Sequence, residues 1–410
     1  MQPQASSPPS AGEAARQAGR EELSELLLRT RQDSLNTFAV VTKALTDQGR
    51  QVPQQPTVNL PLWELGHVGW FQEWWTGRNP HLHGGVRADP DVARNPPVRR
   101  GSDALYNSSL VPHATRWSLD LPDADETRWD MDRQLAQTLT LLAGYSDESD
   151  DALYFFRLAL LHEDMHHEAA LYMAQALGLD QPDLRWRART ERGLRAELAL
   201  DAGLFRQGHE GPGFAFDNEL PAHDVDIGAY RIDRRALNWS EFLPFVEAGG
   251  YSQTQWWSDA GKHWLQAHQP DCPAVLRRAD GSWQQRQGSR WLPLMSAAAA
   301  CHLNLFEAQA WCAWAGRRLP TEAEWERAAV QRPQHFSWGQ VWEWTASPFA
   351  PYPGFQPHPY RDYSAPWFDG RPVLKGASRM TQPRMQHPRY RNYFTAERTD
   401  LVSGFRSCAL

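Results

Sequence analysis

At 410 residues the chain is longer than one hydrophobic core usually organises, so two domains are expected. Its formal net charge of −7, with acids and bases spread along the chain, excludes a nucleic-acid footprint, and no apolar run is long enough to span a bilayer. Cys272, Cys301, Cys312 and Cys408 form no CxxC pair and follow no export signal, so reduced thiols of a cytoplasmic protein are expected.

The first 14 residues, MQPQASSPPSAGEA, are rich in Pro, Ser, Ala and Gln, and 1–14 is read as a disordered tail. Helices are predicted over 14–47, 61–76, 126–144 and 150–177, with Gly178 stopping the last. Four such helices suggest a bundle over 15–178, and facing helices of bundles commonly carry metal sites. The charged stretch 179–199 is read as a linker. Over 200–410 Gly, Trp and Pro punctuate short alternating runs, which predicts irregular loops around a small sheet. Two short helices stand out there. One follows a cap at Ser240; the other lies in LPTEAEWERAA, where Thr321 and Glu324 have capping-box spacing.

The fourth predicted helix contains LHEDMHHEAALYMAQALG, from Leu161 to Gly178. At about 100° per residue, Phe155, His162, His166, Ala169 and Met173 share one stripe. His162 and His166 are one turn apart and can converge on one metal ion. Such a pair is also common on helix surfaces and in hydrogen-bonded cores, but buried imidazoles need a partner, which favours a ligand. Glu163, Asp164 and His167 point elsewhere, with His167 expected toward solvent near Glu163. In LPLWELGHVGWFQEWWTGRNP, His67 shares a helix face with Trp63, Trp70, Phe71 and Trp74 and is the candidate third ligand. Gly66 and Gly69 permit close approach of a neighbouring helix. Glu64, one turn before His67, is placed to orient its ring. Three neutral imidazoles suit zinc, iron, nickel or copper, and a three-His site with open positions suits catalysis. The chain has 20 Trp, mostly core by expectation, and Trp is also the best partner for a quaternary ammonium.

A distant His plus HxxxHxE, followed by a Trp-rich region with FAFDNELPAHDV, GRRLPTEAEWERAA, VWEWTASPF, VLKGAS, PRYRNYF and GFRSCAL, resembles the ergothioneine-type sulfoxide synthases. The resemblance implies an α+β fold of two domains. The first is similar to the DinB-like four-helix bundle. The second is similar to the formylglycine-generating-enzyme or sulfatase-modifying fold, a variant of the C-type lectin fold. It implies a mononuclear non-haem Fe(II) held by His67, His162 and His166, and small-molecule substrates: hercynine, a chalcogen donor and O₂. Glu168 matches the motif's acid and takes a structural or ligand-supporting role. Asn392 and Tyr393 fall near hercynine, Trp344 is a further aromatic candidate, and a tyrosine is expected as proton donor, with Tyr352, Tyr360 and Tyr363 as the candidates.

Two positions depart from the ergothioneine branch. Met165 stands where that branch commonly has Gln, and Phe394 stands near where some members have an acid for the donor's ammonium. Both resemble the selenoneine synthases, which take a neutral selenosugar, so Met165 joins the substrate-binding candidates. The alternative donor is a thiol, cysteine or γ-glutamylcysteine. A formylglycine-generating enzyme would carry two copper-binding cysteines after KGAS, where this chain reads RMTQPRMQHPRYR with none. A zinc-containing bundle joined to a lectin-like domain that only binds a ligand is the non-enzymatic alternative.

Overall fold

The computed structural model describes residues 10–180, 188–190 and 195–410. Ser10 opens the first helix, α1 (Ala11–Gln17), by accepting from the Glu13 amide at 3.2 Å. This corrects the end of the tail assigned to 1–14: residues 11–14 are helical, and residues 1–9 lie outside the described part. The predicted helix at 14–47 therefore divides at Ala18 and Gly19, and α2 runs Arg20–Asp47. α1 is held by Arg16, which is 2 % exposed and grips the fully buried Glu219 carboxylate through two guanidinium nitrogens at 2.5 and 2.8 Å.

Pro61 starts α3 (Pro61–Trp75) at a position where its missing N–H is not needed. A five-residue α4 (Ser102–Tyr106) follows. α5 (Ala124–Ala143) begins with a capping box between Asp123 and Glu126, and α6 (Asp150–Ala176) with a Ser149 cap. α2 packs along α6, and α3 packs on both α5 and α6. Gly66 and Gly69 make room for α4 and α5 respectively: a Cβ at either would lie 2.3 Å from the Tyr106 ring or the Gln134 amide oxygen.

The second region carries β1 (Glu197–Leu200), β2 (Gly203–Gln207), β3 (His223–Ile227), β4 (Tyr230–Asp233), α7 (Trp239–Glu247), α8 (Asp259–His268), β5 (Leu276–Ala279), β6 (Ser282–Gln287) and β7 (Arg290–Pro293). It continues with α9 (Leu305–Trp314), β8 (Arg317–Arg318), α10 (Glu322–Gln331), β9 (Trp342–Pro348), β10 (Pro372–Gly376), β11 (Asn392–Tyr393), β12 (Ser403–Gly404) and β13 (Cys408–Ala409). Among the described residues these strands form two four-stranded sheets, ordered β1-β4-β13-β8 and β11-β10-β9-β12, with the β2-β3 hairpin and a β5-β6-β7 meander beside them. Long irregular connections join the short strands, as the Gly- and Pro-rich texture predicts.

Two sequence boundaries shift. The linker assigned to 179–199 overlaps β1, which begins at Glu197 and pairs with Asp233 of β4; residues 181–187 and 191–194 lie outside the described part. The cap of α7 is Asn238, not Ser240. Asn238 accepts from the Glu241 amide at 3.1 Å while Glu241 accepts from the Asn238 amide at 2.9 Å, which places the fully buried Trp239 inside the first turn. Thr321 and Glu324 do form the box at the head of α10.

One apolar core runs from Trp63, Phe71 and Phe155 of the helices to Trp239, Trp344 and Phe405 of the second region. Buried ion pairs brace the sheets, notably Lys375 with Glu326 at 3.0 Å and Arg391 with Glu322 at 2.6 Å. All four cysteines are free thiols, and among the described residues no helix is long and apolar enough to cross a membrane.

The Arg16–Glu219 pair gives a stability test. Burial alone would raise the Glu219 pKa, but the Arg16 charge and hydrogen bonds outweigh it and hold it at about 2. A carboxylate depressed in the fold adds stability above its ordinary range near 4.5 and loses it as pH falls toward about 2. Arg16→Met strands that buried charge and is expected to cost about 3–5 kcal/mol in urea unfolding at neutral pH. The deficit should shrink as the solution is acidified through that window.

Candidate metal and substrate site

His67 projects from α3, and His162 and His166 project from α6 one turn apart. One ring nitrogen from each lies within 4.8 Å of the others, and no second group of this kind occurs among the described residues. The ring centroids are 5.3 Å apart for His67 and His162, 4.8 Å for His67 and His166, and 4.5 Å for His162 and His166. Aromatic packing holds the set. Trp63 stacks on His67 at 4.9 Å with planes within 10°, and Phe71 lies flat against His162 at 3.4 Å.

The hydrogen bonds leave lone pairs facing inward. His67 Nδ1 is 2.8 Å from the Tyr106 carbonyl, so it carries the proton and leaves Nε2 free. Gly66 is what admits Tyr106 to that contact. His166 Nδ1 is 2.5 Å from Glu64 Oε2. Neither nitrogen of His162 has a partner, although that side chain is only 2 % exposed. A buried polar atom left alone costs roughly 1–3 kcal/mol, which a coordinated cation would recover. Burial, with His166 adding to it, lowers the His67 pKa to about 3, and burial likewise drives His162 well below its ordinary range. Both rings are therefore neutral at physiological pH and able to ligate. Neutral His67 and His162 rings beside His166, with both His162 nitrogens unpartnered, fit a divalent first-row metal.

Glu64 was expected to orient His67; it orients His166 instead. The Tyr106 carbonyl already occupies the His67 ring, while the crossing of α3 over α6 brings the carboxylate to the other histidine. Burial opposes ionisation of Glu64, but His166, His67 and a hydrogen bond from Asn59 bring its pKa down to about 2.

The second face of α6 also departs from expectation. His167 is not in solvent but 2 % exposed, with Nε2 2.9 Å from Thr37 Oγ1 of α2. Glu163 and Asp164 are each 1 % exposed. Arg31 of α2 pairs with Glu163 at 3.0 Å, and Arg384 pairs with Asp164 at 2.6 Å. A helical wheel assigns charged residues to water because it cannot see these partners. Glu168 accepts from Trp342, Ser378 and Thr381.

A cavity of about 260 Å³ opens on His162 and His166. Loops of the second region build the opposite wall, and Tyr360, Tyr363, Asn392, Tyr393 and Phe394 all line it, as does Met165 from α6. The Tyr360 ring is 6.0 Å from that of His162. Tyr363 donates to Tyr390 at 2.9 Å, Tyr390 donates to Met165 Sδ at 3.4 Å, and the Tyr393 hydroxyl donates to the Tyr363 carbonyl. Burial raises the pKa of Tyr360, Tyr363 and Tyr393, so all three keep their protons.

Two sequence candidates fall elsewhere. Trp344 is fully buried and donates to the Leu303 carbonyl at 2.7 Å; Trp342, on the same strand, lines the cavity. Tyr352 is bonded to Gln207 and Glu322 beneath the Arg391 guanidinium, away from the cavity. Tyr390, Tyr172 and Met385 were missed.

A helical region carrying three convergent imidazoles, joined to a mixed sheet region that walls the cavity, defines a two-part class of protein. Residues 185–340 match the sulfatase-modifying factor enzyme 1-like domain. The chain is 31 % identical to a hercynine oxygenase of Mycolicibacterium smegmatis, over 86 % of this chain and 91 % of that one. It is 29 % identical to the hercynine oxygenase of Mycobacterium tuberculosis over the same shares. A formylglycine-generating enzyme of Streptomyces coelicolor is 32 % identical, over 34 % of this chain and 48 % of its own length. The chain belongs to the hercynine oxygenase family.

Glu64→Gln keeps the shape of the bond to His166 but removes its charge. Divalent-metal affinity is expected to fall about 10–100-fold, measured by titrating apo-protein with Fe(II) or Co(II).

Proposed function

We propose that the chain holds Fe(II) at His67, His162 and His166 and, in the cytoplasm, joins hercynine oxidatively to a selenosugar through a C–Se bond. The observation that carries the oxidative part is the unpartnered, neutral His162 beside two rings whose outer nitrogens are already engaged. Iron there would supply the one-electron steps that O₂ demands and side chains cannot perform.

The remaining work falls to the chain. Among the residues lining the cavity Glu168 is the one carboxylate, and three donors already occupy it. The rest of the wall is aromatic or apolar apart from the Asn392 amide. Such a wall suits the trimethylammonium of hercynine, which aromatic faces attract without hydrogen bonds. Tyr393 and Tyr363 are the rings we assign to it, and Asn392 supplies polar contact to the substrate. Tyr360 is the proton donor this reading favours: its hydroxyl is protonated, it faces the cavity, and its ring stands nearest His162. Closing the wall over both reactants keeps water from the reacting atoms.

The choice of donor follows from charge. An amino-acid thiol would bring an ammonium and a carboxylate into the pocket. At its edge Phe394 is apolar, and the Arg398 guanidinium stacked 5.0 Å from that ring is committed to Asp400 at 2.6 Å. A neutral sugar needs neither counter-charge. Sulfur transfer from cysteine or γ-glutamylcysteine is the second reading, favoured by the overall likeness to hercynine oxygenases.

Anaerobically iron-loaded protein given hercynine with a selenosugar, a thiosugar, cysteine and γ-glutamylcysteine, then O₂, is expected to yield the selenium adduct by mass spectrometry. A cysteinyl sulfoxide alone would select the second reading, and no O₂ consumption with any donor would select a ligand-binding protein. His162→Ala should lose iron and turnover together, read by metal analysis beside the product assay; turnover without that ring would exclude it as a ligand.

A further inference from the structure

Asp164, His167 and Glu168 of α6 meet one short stretch of chain, residues 378–384. Ser378 Oγ and Thr381 Oγ1 donate to Glu168 at 2.6 and 2.7 Å. Arg384 donates to both Asp164 oxygens at 2.6 Å and to Asp33 of α2 at 3.1 Å. Gln382 reaches Asp33 at 3.1 Å and the His167 ring at 3.3 Å. Directly after Arg384 the chain becomes the cavity wall, through Met385, Tyr390, Asn392 and Tyr393. Within residues 385–393 the hydrogen bond to α6 is a weak one, the Tyr390 hydroxyl on Met165 sulfur at 3.4 Å, while Trp342 of β9, also in the wall, donates to Glu168 at 2.8 Å.

We propose that residues 378–384 form a clamp that sets the spacing between the histidine face of α6 and the substrate wall, with Arg384 and Glu168 as its positioning residues. The bidentate bond from Arg384 fixes orientation as well as distance, which ring packing does not. The clamp grips the helix on residues 164, 167 and 168, interleaved with the histidines, so a displacement of the wall is referred directly to the rings. Residues 378–384 are not among those lining the cavity, and Glu168, which borders it, has its carboxylate occupied by Trp342, Ser378 and Thr381. The catalytic consequence rests on the function proposed above; the mechanical one does not.

The test uses full-length, metal-loaded protein carrying Arg384→Met, Arg384→Lys or Glu168→Gln. Two readouts are taken: hercynine kinetics with metal content, and amide hydrogen exchange. Arg384→Met is expected to lower kcat/KM about 10–100-fold, mostly through KM, with metal content unchanged. Arg384→Lys, which keeps charge but not the fork, should restore part of it. Arg384→Met combined with Glu168→Gln should lose less than the product of the single losses, because both loosen one device. Exchange should accelerate over residues 385–394 and stay unchanged over the histidine turns of α6. Loss of metal in Arg384→Met would overturn the proposal, since the contact would then be building the ligand set. So would a lower melting temperature with native KM and native exchange over 385–394. If wild-type protein neither binds nor turns over hercynine, the functional reading fails, and the exchange comparison alone decides the clamp.

Discussion

Three imidazole lone pairs, brought from two helices into a space a few ångströms across, are the constraint around which this protein is arranged. Neutral rings can crowd this way where charged ones cannot, and burial keeps His67 and His162 neutral. Each ring is aimed by something outside the set: a backbone carbonyl for His67, a carboxylate for His166, a flat aromatic face for His162. The helical region supplies all of these, including the glycine that lets Tyr106 approach. It builds the electron-rich half of the site and leaves one side open.

The second region supplies the other half. Its strands are short and its connections long, a poor architecture for a rigid helix-based metal site but a suitable one for a shaped wall. Loops after β9 and β10, together with β11, bring tyrosines, an asparagine and a phenylalanine to face the histidines, while β9 contributes Trp342. Buried ion pairs beneath the loops, such as Arg391 with Glu322, hold segments that have few backbone hydrogen bonds of their own. Buried pairs of this kind add little net stability over apolar packing, but they penalise any arrangement that separates the partners, and so specify one geometry.

The same logic explains the acidic character of α6. A helix presenting histidines on one stripe and apolar core on another has little room for charge, yet Glu163, Asp164 and Glu168 are all buried there. Each is matched, by Arg31, Arg384 and a trio of neutral donors respectively. One face of α6 therefore carries the convergent histidines and the others address neighbouring chain. The motif HEDMHHE is dense because several interfaces share two turns of helix.

Much of this was legible in one dimension. Helical periodicity placed His162 and His166 on a common stripe and His67 on an aromatic one, since the 3.6-residue repeat fixes which side chains share a face. Capping boxes and glycines located helix ends to within a few residues, because those signals are local hydrogen bonds and local dihedrals. Periodicity gives directions about a helix axis but not what lies in them. Only the tertiary structure decided that His167 is buried, that Glu64 serves His166, that Trp342 and not Trp344 reaches the cavity, and that Tyr352 lies apart from Tyr360 and Tyr363. Each of those outcomes depends on which distant segment arrives opposite a side chain, and the arrival is set by packing of the whole core.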